Sequence, residues 1–242
     1  MSVATNKIAL VTGANKGIGK ETARQLAELG YTVYIGARDA ARGQAAAEEL
    51  SAAGDVRFVR LDVTEPETLR SAVEQVTAEA GRLDALVNNA GIATDHAPPS
   101  TADLEAVRST YEVNFFGPVA VTQAFLPLLR AGSERVIVNV SSELGSITLN
   151  GDPAAPFAAV NILGYNSSKS ALNAFTVMLA KELAPEGFRV NAVDPGYTAT
   201  DMNGHAGPLR PEDAARIVVR NATLDADGPT GAFFTEGGTL PW

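Results

Sequence analysis

The chain contains no cysteine. Disulfide staples, thiolate catalysis and cysteine-ligated metal are therefore excluded. Histidine is almost as scarce: His96 and His205 are the only two in 242 residues. They form no cluster, and a lone histidine in the Gly-rich stretch around His205 reads as a solvated side chain, so no metal site is expected. No apolar run is long enough to span a bilayer, so no membrane partner is expected. Strand-like residues begin at Ile8, and the short polar segment Met1 to Lys7 leaves no room for a secretory signal. With the missing cysteines, this suits a cytoplasmic protein. Positive charge is in deficit, with 19 Lys and Arg against 28 Asp and Glu and a net charge of −9. An acidic surface repels phosphate backbones, which argues against nucleic acid as a partner. Any phosphate the chain binds must be held by a local basic site.

What is present is a regular alternation. Apolar, β-rich runs occur at Ile8–Val11, Tyr31–Ile35, Val56–Val59, Leu83–Val87, Arg135–Val140, Phe188–Val193 and Gly231–Phe234. They lack polar alternation, as strands buried on both faces of a parallel sheet do. Helix-length segments such as Gly19–Leu29, Ala40–Ala53 and Pro66–Ala80 lie between them. Repeated βαβ units follow, and with them an α/β fold: one doubly wound, Rossmann-type parallel sheet of about seven strands with helices on both faces. A length of 242 residues fits one such domain, 1–242. The stretch 145–163 is rich in Gly, Pro and Ala and is the longest irregular segment. It reads as an extended active-site loop rather than a linker, because the pattern resumes unchanged after it.

The first strand runs into Thr12-Gly13-Ala14-Asn15-Lys16-Gly17-Ile18-Gly19, and a helix follows. Glycines at a strand-to-helix turn let the backbone approach a pyrophosphate at the helix N-terminus. The second strand ends at Gly36-Ala37-Arg38-Asp39. An acid at this place holds the ribose 2′-hydroxyl of NAD, and an arginine fork clasps the 2′-phosphate of NADP. Arg38, with Lys16 as a second cation, points to NADP(H). Asp39 leaves NAD open if its side chain turns inward. Asp62, at the end of the third strand, either accepts from the adenine amino group or caps the helix before Pro66.

Tyr165 and Lys169 are four residues apart and share one helix face. A free tyrosine, with a pKa near ~10, is a poor acid or base at neutral pH. A nearby ammonium favours the phenolate and lowers that pKa. Tyr165 can then give a proton to a carbonyl oxygen as hydride reaches the carbon.

Taken together, the Thr12–Gly19 turn, Asn88-Asn89-Ala90-Gly91, Asn114, Ser142, Tyr165 with Lys169, and Asp194-Pro195-Gly196 resemble the short-chain dehydrogenase/reductase family in order and over nearly the whole length. The resemblance implies Tyr165 as acid/base. Lys169 would lower its pKa and hold the nicotinamide ribose. Ser142, the second of the serine pair, would bond the substrate carbonyl, and Asn114 would anchor a water relaying protons to Lys169. It implies Asn89, Ala90 and Gly91 along the adenosine ribose, Asp62 and Val63 at the adenine, and Pro195, Gly196, Tyr197 and Thr200 at the nicotinamide.

A closer similarity is to the NADPH-dependent carbonyl reductases, carried by Ala37-Arg38-Asp39 with Arg42-Gly43-Gln44-Ala45-Ala46, by Asn114-Phe115-Phe116-Gly117, and by Gly228-Pro229-Thr230-Gly231 with Trp242. It implies a small-molecule ketone or aldehyde as substrate. The spacing departs from the family: Ser142 and Tyr165 are 23 positions apart, longer than in most members and shorter than in animal carbonyl reductases. Phe157, Val160, Ile162 and Leu163 in the added stretch are too apolar for a free loop and are expected either to wall the substrate pocket or to fill a crevice against the sheet. Because the next helix is a common subunit contact in the family, the sequence leaves monomer or homo-oligomer open. Two rival functions remain. One is a 3-oxoacyl thioester reductase, whose carrier would need basic residues where Gly204–Pro211 offers only His205 and Arg210. The other is a non-catalytic NADP sensor, which tends to lose the Tyr or Lys that this chain keeps.

Overall fold

The computed structural model describes residues 7–242; the signal-peptide expectation for Met1 to Lys7 falls on residues 1–6, outside the described residues. Seven parallel strands form one sheet in the order β3-β2-β1-β4-β5-β6-β7. They are β1 (Ile8–Thr12), β2 (Thr32–Ala37), β3 (Val56–Arg60), β4 (Ala85–Asn88), β5 (Val136–Val140), β6 (Arg189–Val193) and β7 (Phe233–Thr235). An eighth strand, β8 (Gly238–Thr239), pairs antiparallel with β7. The sequence pattern predicts about seven strands and misses β8, because two exposed residues carry no apolar run.

Every residue of β1, β2, β4, β5 and β6 is buried, which is why their sequences do not alternate. Successive side chains still face opposite layers. Ala9, Val11, Ile35 and Val138 pack with Leu26 of α1 (Gly17–Glu28), Leu50 of α2 (Ala40–Leu50) and Val218 of α8 (Pro211–Ala222). Leu10, Tyr34, Leu86 and Ile137 pack with Val76 of α3 (Pro66–Glu79), Phe125 of α5 (Gly117–Ala131) and Leu183 of α7 (Leu163–Leu183). Each fully buried Val, Leu or Ile contributes roughly 1.5–3 kcal/mol relative to exposure. Truncating Ile137, 0% exposed, to Ala would cost about 2–5 kcal/mol. β3 is the edge strand and tolerates charge: Arg57 pairs with Asp55 at 2.8 Å and with Glu79 at 3.3 Å.

Strand order reverses between β1 and β4, so the crevice for ligands opens there, at the carboxyl ends of the strands. The stretch 145–163 is less irregular than its composition suggests. It holds one helical turn, α6 (Ile147–Asn150), capped by the Ser146 hydroxyl, which accepts from the Leu149 N–H at 3.1 Å. The segment is then tied to α7, where the Asn166 amide donates to the Val160 carbonyl at 3.0 Å and to Asn150 Oδ1 at 3.2 Å. Among the described residues, no helix is long and apolar enough to cross a membrane.

Candidate active site

The glycine turn between β1 and α1 folds tightly because it has no side chains to spare. Gly13 sits at φ +64°, and a Cβ there would lie 2.9 Å from Ala90 Cα. A Cβ on Gly19 would lie 2.3 Å from Asn89 Nδ2 and 2.8 Å from the Gly13 carbonyl. The turn is thereby pressed against the end of β4. Thr12, named on the sequence only as the start of the turn, makes the join: its hydroxyl accepts the N–H groups of Asn89 and Ala90, both at 3.0 Å. α1 begins without a side-chain cap and without an acid in its first turn. Its free N–H groups and the positive end of its dipole therefore face the crevice.

That crevice is one cavity of about 1170 Å³, larger than most single-ligand pockets and roomy enough for a dinucleotide with a substrate. Its walls bring together nearly every residue singled out in the sequence. Gly13, Asn15, Lys16, Gly17, Ile18 and Gly19 form the middle of one wall. Arg38, Asp62 and Val63 border one end, with Asn89, Ala90 and Gly91 opposite the glycine turn. Ser142, Tyr165 and Lys169 stand at the other end, beside Pro195, Gly196, Tyr197 and Thr200. Asn114 is the exception. It is fully buried in a π-helical turn between α4 (Leu104–Tyr111) and α5, and does not line the cavity. Its amide accepts from the Ile92 N–H at 2.8 Å and donates to the Ile92 carbonyl at 2.9 Å and to Ser168 at 3.1 Å. It still lies close to Lys169: a Cβ on Gly91 would be 3.4 Å from Asn114 Oδ1 and 3.6 Å from Lys169 Nζ.

The basic end departs from expectation in one respect. Lys16 is not a free cation, since its ammonium is 2.6 Å from Asp201 and both side chains are more than half exposed. Arg38 forms no ion pair or hydrogen bond among the described residues. Asp39 does not turn inward. Its carboxylate caps α2 by accepting the Arg42 N–H at 3.0 Å and lies off the cavity wall. Asp62, by contrast, caps no helix. It holds a local turn through the Thr64 N–H at 3.0 Å and hydroxyl at 2.8 Å.

The end of the cavity that holds Ser142, Tyr165 and Lys169 is built on buried polar ties. The Asn88 amide donates to Asn139 Oδ1 at 2.8 Å and to Thr122 at 3.0 Å, and Asn139 donates to Thr176 on α7 at 2.9 Å. These bonds lock α7 to the sheet one helical stretch below Lys169. The two serines separate cleanly. The Ser141 hydroxyl is buried and consumed by Asn173 at 2.6 Å, while Ser142 and Tyr165 both line the cavity. Lys169 is 4% exposed and donates to the Val140 carbonyl at 2.8 Å. Its ammonium lies 5.7 Å from the centre of the Tyr165 ring.

Burial depresses the Lys169 ammonium to about 8. The Tyr165 phenol moves opposite to the expectation from its lysine neighbour. Burial, reinforced by the negative charge of Asp194, pushes it up to about 12, and the Ser142 hydrogen bond pulls back only in part. A desolvated phenol keeps its proton unless a full charge is close, and Lys169 is itself desolvated.

Phe157, Val160 and Ile162 line the same cavity, and Leu163, grouped with them on the sequence, does not. Phe157 meets Tyr197 edge-on at 6.4 Å, so the added segment and the loop after β6 touch.

Comparison with known proteins agrees with this arrangement. The family model described as short chain dehydrogenase matches residues 7–209, and the chain belongs to that family of oxidoreductases. It is 36% identical to a short-chain dehydrogenase, anuI, of Penicillium roqueforti (strain FM164), over 92% of this chain and 91% of that protein. It is 35% identical to (+)-neomenthol dehydrogenase of Arabidopsis thaliana, over 97% of this chain and 98% of that one. Among solved structures, NADPH-bound carbonyl reductase from chicken fatty liver superposes with a TM-score of 0.86 at 29% identity, covering 98% of this chain and 99% of the other.

Proposed function

We propose that this protein is an NADP(H)-dependent carbonyl reductase acting on small ketones or aldehydes. One observation carries the reading. Ser142, Tyr165 and Lys169 converge at one end of a cavity whose other end presents the unpaired Arg38 beside the uncapped start of α1. The residues fit a dinucleotide, because the turn between β1 and α1 offers backbone N–H groups where side chains would obstruct a pyrophosphate. The nicotinamide supplies the hydride when bound.

The chain's residues supply the rest. The Ser142 hydroxyl donates to the substrate carbonyl oxygen, and the Tyr165 O–H delivers its proton to the same oxygen. Lys169 holds the ribose and balances the phenolate left on Tyr165. Asn114, held on both sides by Ile92, anchors the water relay that returns a proton toward Lys169. Arg38 clasps the 2′-phosphate, while Asp39 at the start of α2 is turned away. The NADPH bound to the similar chicken carbonyl reductase favours the same cofactor.

A thioester reductase would need free cations at the entrance. Arg210 is instead paired with Glu212 at 3.2 Å and Asp213 at 3.0 Å, and His205 with Asp201 at 3.0 Å. The reading is tested by following oxidation of NADPH, and of NADH in parallel, with a panel of activated ketones and aldehydes. Turnover with preference for NADPH is expected. Cofactor binding without turnover on any of them would replace an enzyme with a sensor.

A further inference from the structure

The segment between Ser142 and Tyr165 is anchored from outside itself. Its helical turn α6 has four residues and buries none of them, so it cannot hold itself in place. The Thr148 N–H and hydroxyl both donate to the backbone oxygen of Trp242, at 3.0 Å and 2.7 Å. Trp242 lies three residues after β8, and its indole stacks on Phe233 of β7 with centroids 5.5 Å apart and 18° between the planes. Phe233 is fully buried, and its carbonyl accepts the Leu240 N–H at 2.8 Å. Trp242 thus joins α6 to the sheet.

From α6 the tie reaches the cavity through one side chain. The Asn150 amide donates to the Leu144 carbonyl at 2.7 Å and to the Ser146 carbonyl at 2.8 Å, and its oxygen accepts from Asn166 at 3.2 Å. Leu144 stands two residues after Ser142, and Asn166 directly follows Tyr165. The Asn166 amide also holds the Val160 carbonyl at 3.0 Å. Leu144, Phe157, Val160 and Ile162 line the cavity, whereas neither Thr148 nor Trp242 does. Phe157 further shares a small hollow with Glu143 and Leu144, which places this apolar wall beside the Ser142 turn.

We propose that Thr148 and Trp242 are positioning residues for substrate selection: their clasp holds the wall of Leu144, Phe157, Val160 and Ile162 in its binding shape before a ketone arrives. A wall ordered in advance takes a bulky apolar ketone without losing binding energy to its own ordering. A wall released from the sheet must be ordered by the ketone, and that cost falls on KM. A small ketone that does not reach the wall is indifferent to the clasp. This rests on the proposed carbonyl reduction, but its first readout needs no turnover.

The test uses Thr148→Val, which keeps the branched shape and deletes the hydroxyl bond. Trp242 is the only tryptophan in the chain, so tryptophan fluorescence reads the clasp alone. Quenching of that fluorescence by acrylamide should rise about twofold in Thr148→Val, as the open clasp gains population. With NADPH, KM for a bulky apolar ketone should rise about three- to tenfold, the strength of one hydrogen bond, while kcat stays within about twofold. Both constants for a small activated ketone should stay as they are. Unchanged quenching in the folded variant overturns the proposal. Raised quenching with an unchanged KM for the bulky ketone makes the clasp structural only and overturns it as well. Trp242→Ala, which strips the stack on Phe233, gives the same division of KM and kcat if Thr148→Val does not fold. If no carbonyl is reduced, calorimetric binding of the bulky ketone to the protein with oxidised cofactor replaces KM. The same weakening then upholds the clasp while the proposed reaction fails, and unchanged binding, or none in either protein, overturns both.

Discussion

Replacing Lys169 with methionine should stabilise the cofactor-free protein while destroying its activity. Lys169 is 4% exposed, and burial lowers its ammonium from 10.5 to about 8. That gap corresponds to about 3 kcal/mol held against the folded state at pH 7, where the ammonium is protonated in folded and unfolded chains alike. Methionine keeps the packed stem and removes the charge. It also removes the bond to the Val140 carbonyl at 2.8 Å, a loss of about 1 kcal/mol. The net gain is about 2 kcal/mol, or a rise in Tm of about 4–8 °C for a chain of this size.

The sign with pH follows. Between pH 8 and 10.5 the unfolded chain binds more protons than the folded one at this site, so native stability rises with pH across that window. Tyr165 acts the other way. With its phenol raised from 10 to about 12, the unfolded chain ionises first, and stability falls as pH climbs past 10. Thermal melts of the native protein and Lys169→Met, without cofactor, should differ most at pH 7 and converge near pH 10. A variant that melts below the native protein at pH 7, or that keeps its full advantage at pH 10, would refute the reasoning.

Other substitutions probe separate parts of the site. Arg38→Asp adds a group that accepts the ribose hydroxyl and repels the 2′-phosphate, so the ratio of kcat/KM for NADPH to NADH should fall about ten- to a hundredfold; a native enzyme that already prefers NADH would void the cofactor assignment. Phe157→Ala opens the contact with Tyr197 and should raise KM for bulky ketones about tenfold while small activated ketones react as before; equal kinetics on both would make the segment structural.

The sequence made the site legible at one level and hid it at another. The glycine turn, Ser142, Tyr165 and Lys169 were readable because each belongs to a short motif whose spacing survives without coordinates. Strand positions were readable because burial on both faces leaves uninterrupted apolar runs. The pairing of Lys16 with Asp201 was not, since the partners are 185 residues apart and an exposed pair leaves no local mark. Asn114 was found as a motif residue, but its place behind the wall depends on a π-helical turn that residue propensity does not announce. Asp194 was legible only as part of the Asp194-Pro195-Gly196 motif, because its burial beside β7 joins residues remote in sequence. The upward movement of the Tyr165 phenol was hidden for the same reason: helical spacing reveals the lysine neighbour but not the desolvation of both groups.

The most direct test is a comparison of the native enzyme with Tyr165→Phe, which keeps the ring and deletes the transferable proton. NADPH oxidation on an activated ketone and NADPH binding are measured side by side. Turnover should fall on the order of 100- to 10,000-fold with binding retained. Undiminished turnover in Tyr165→Phe would contradict the assignment of Tyr165 as proton donor, and with it the proposed mechanism.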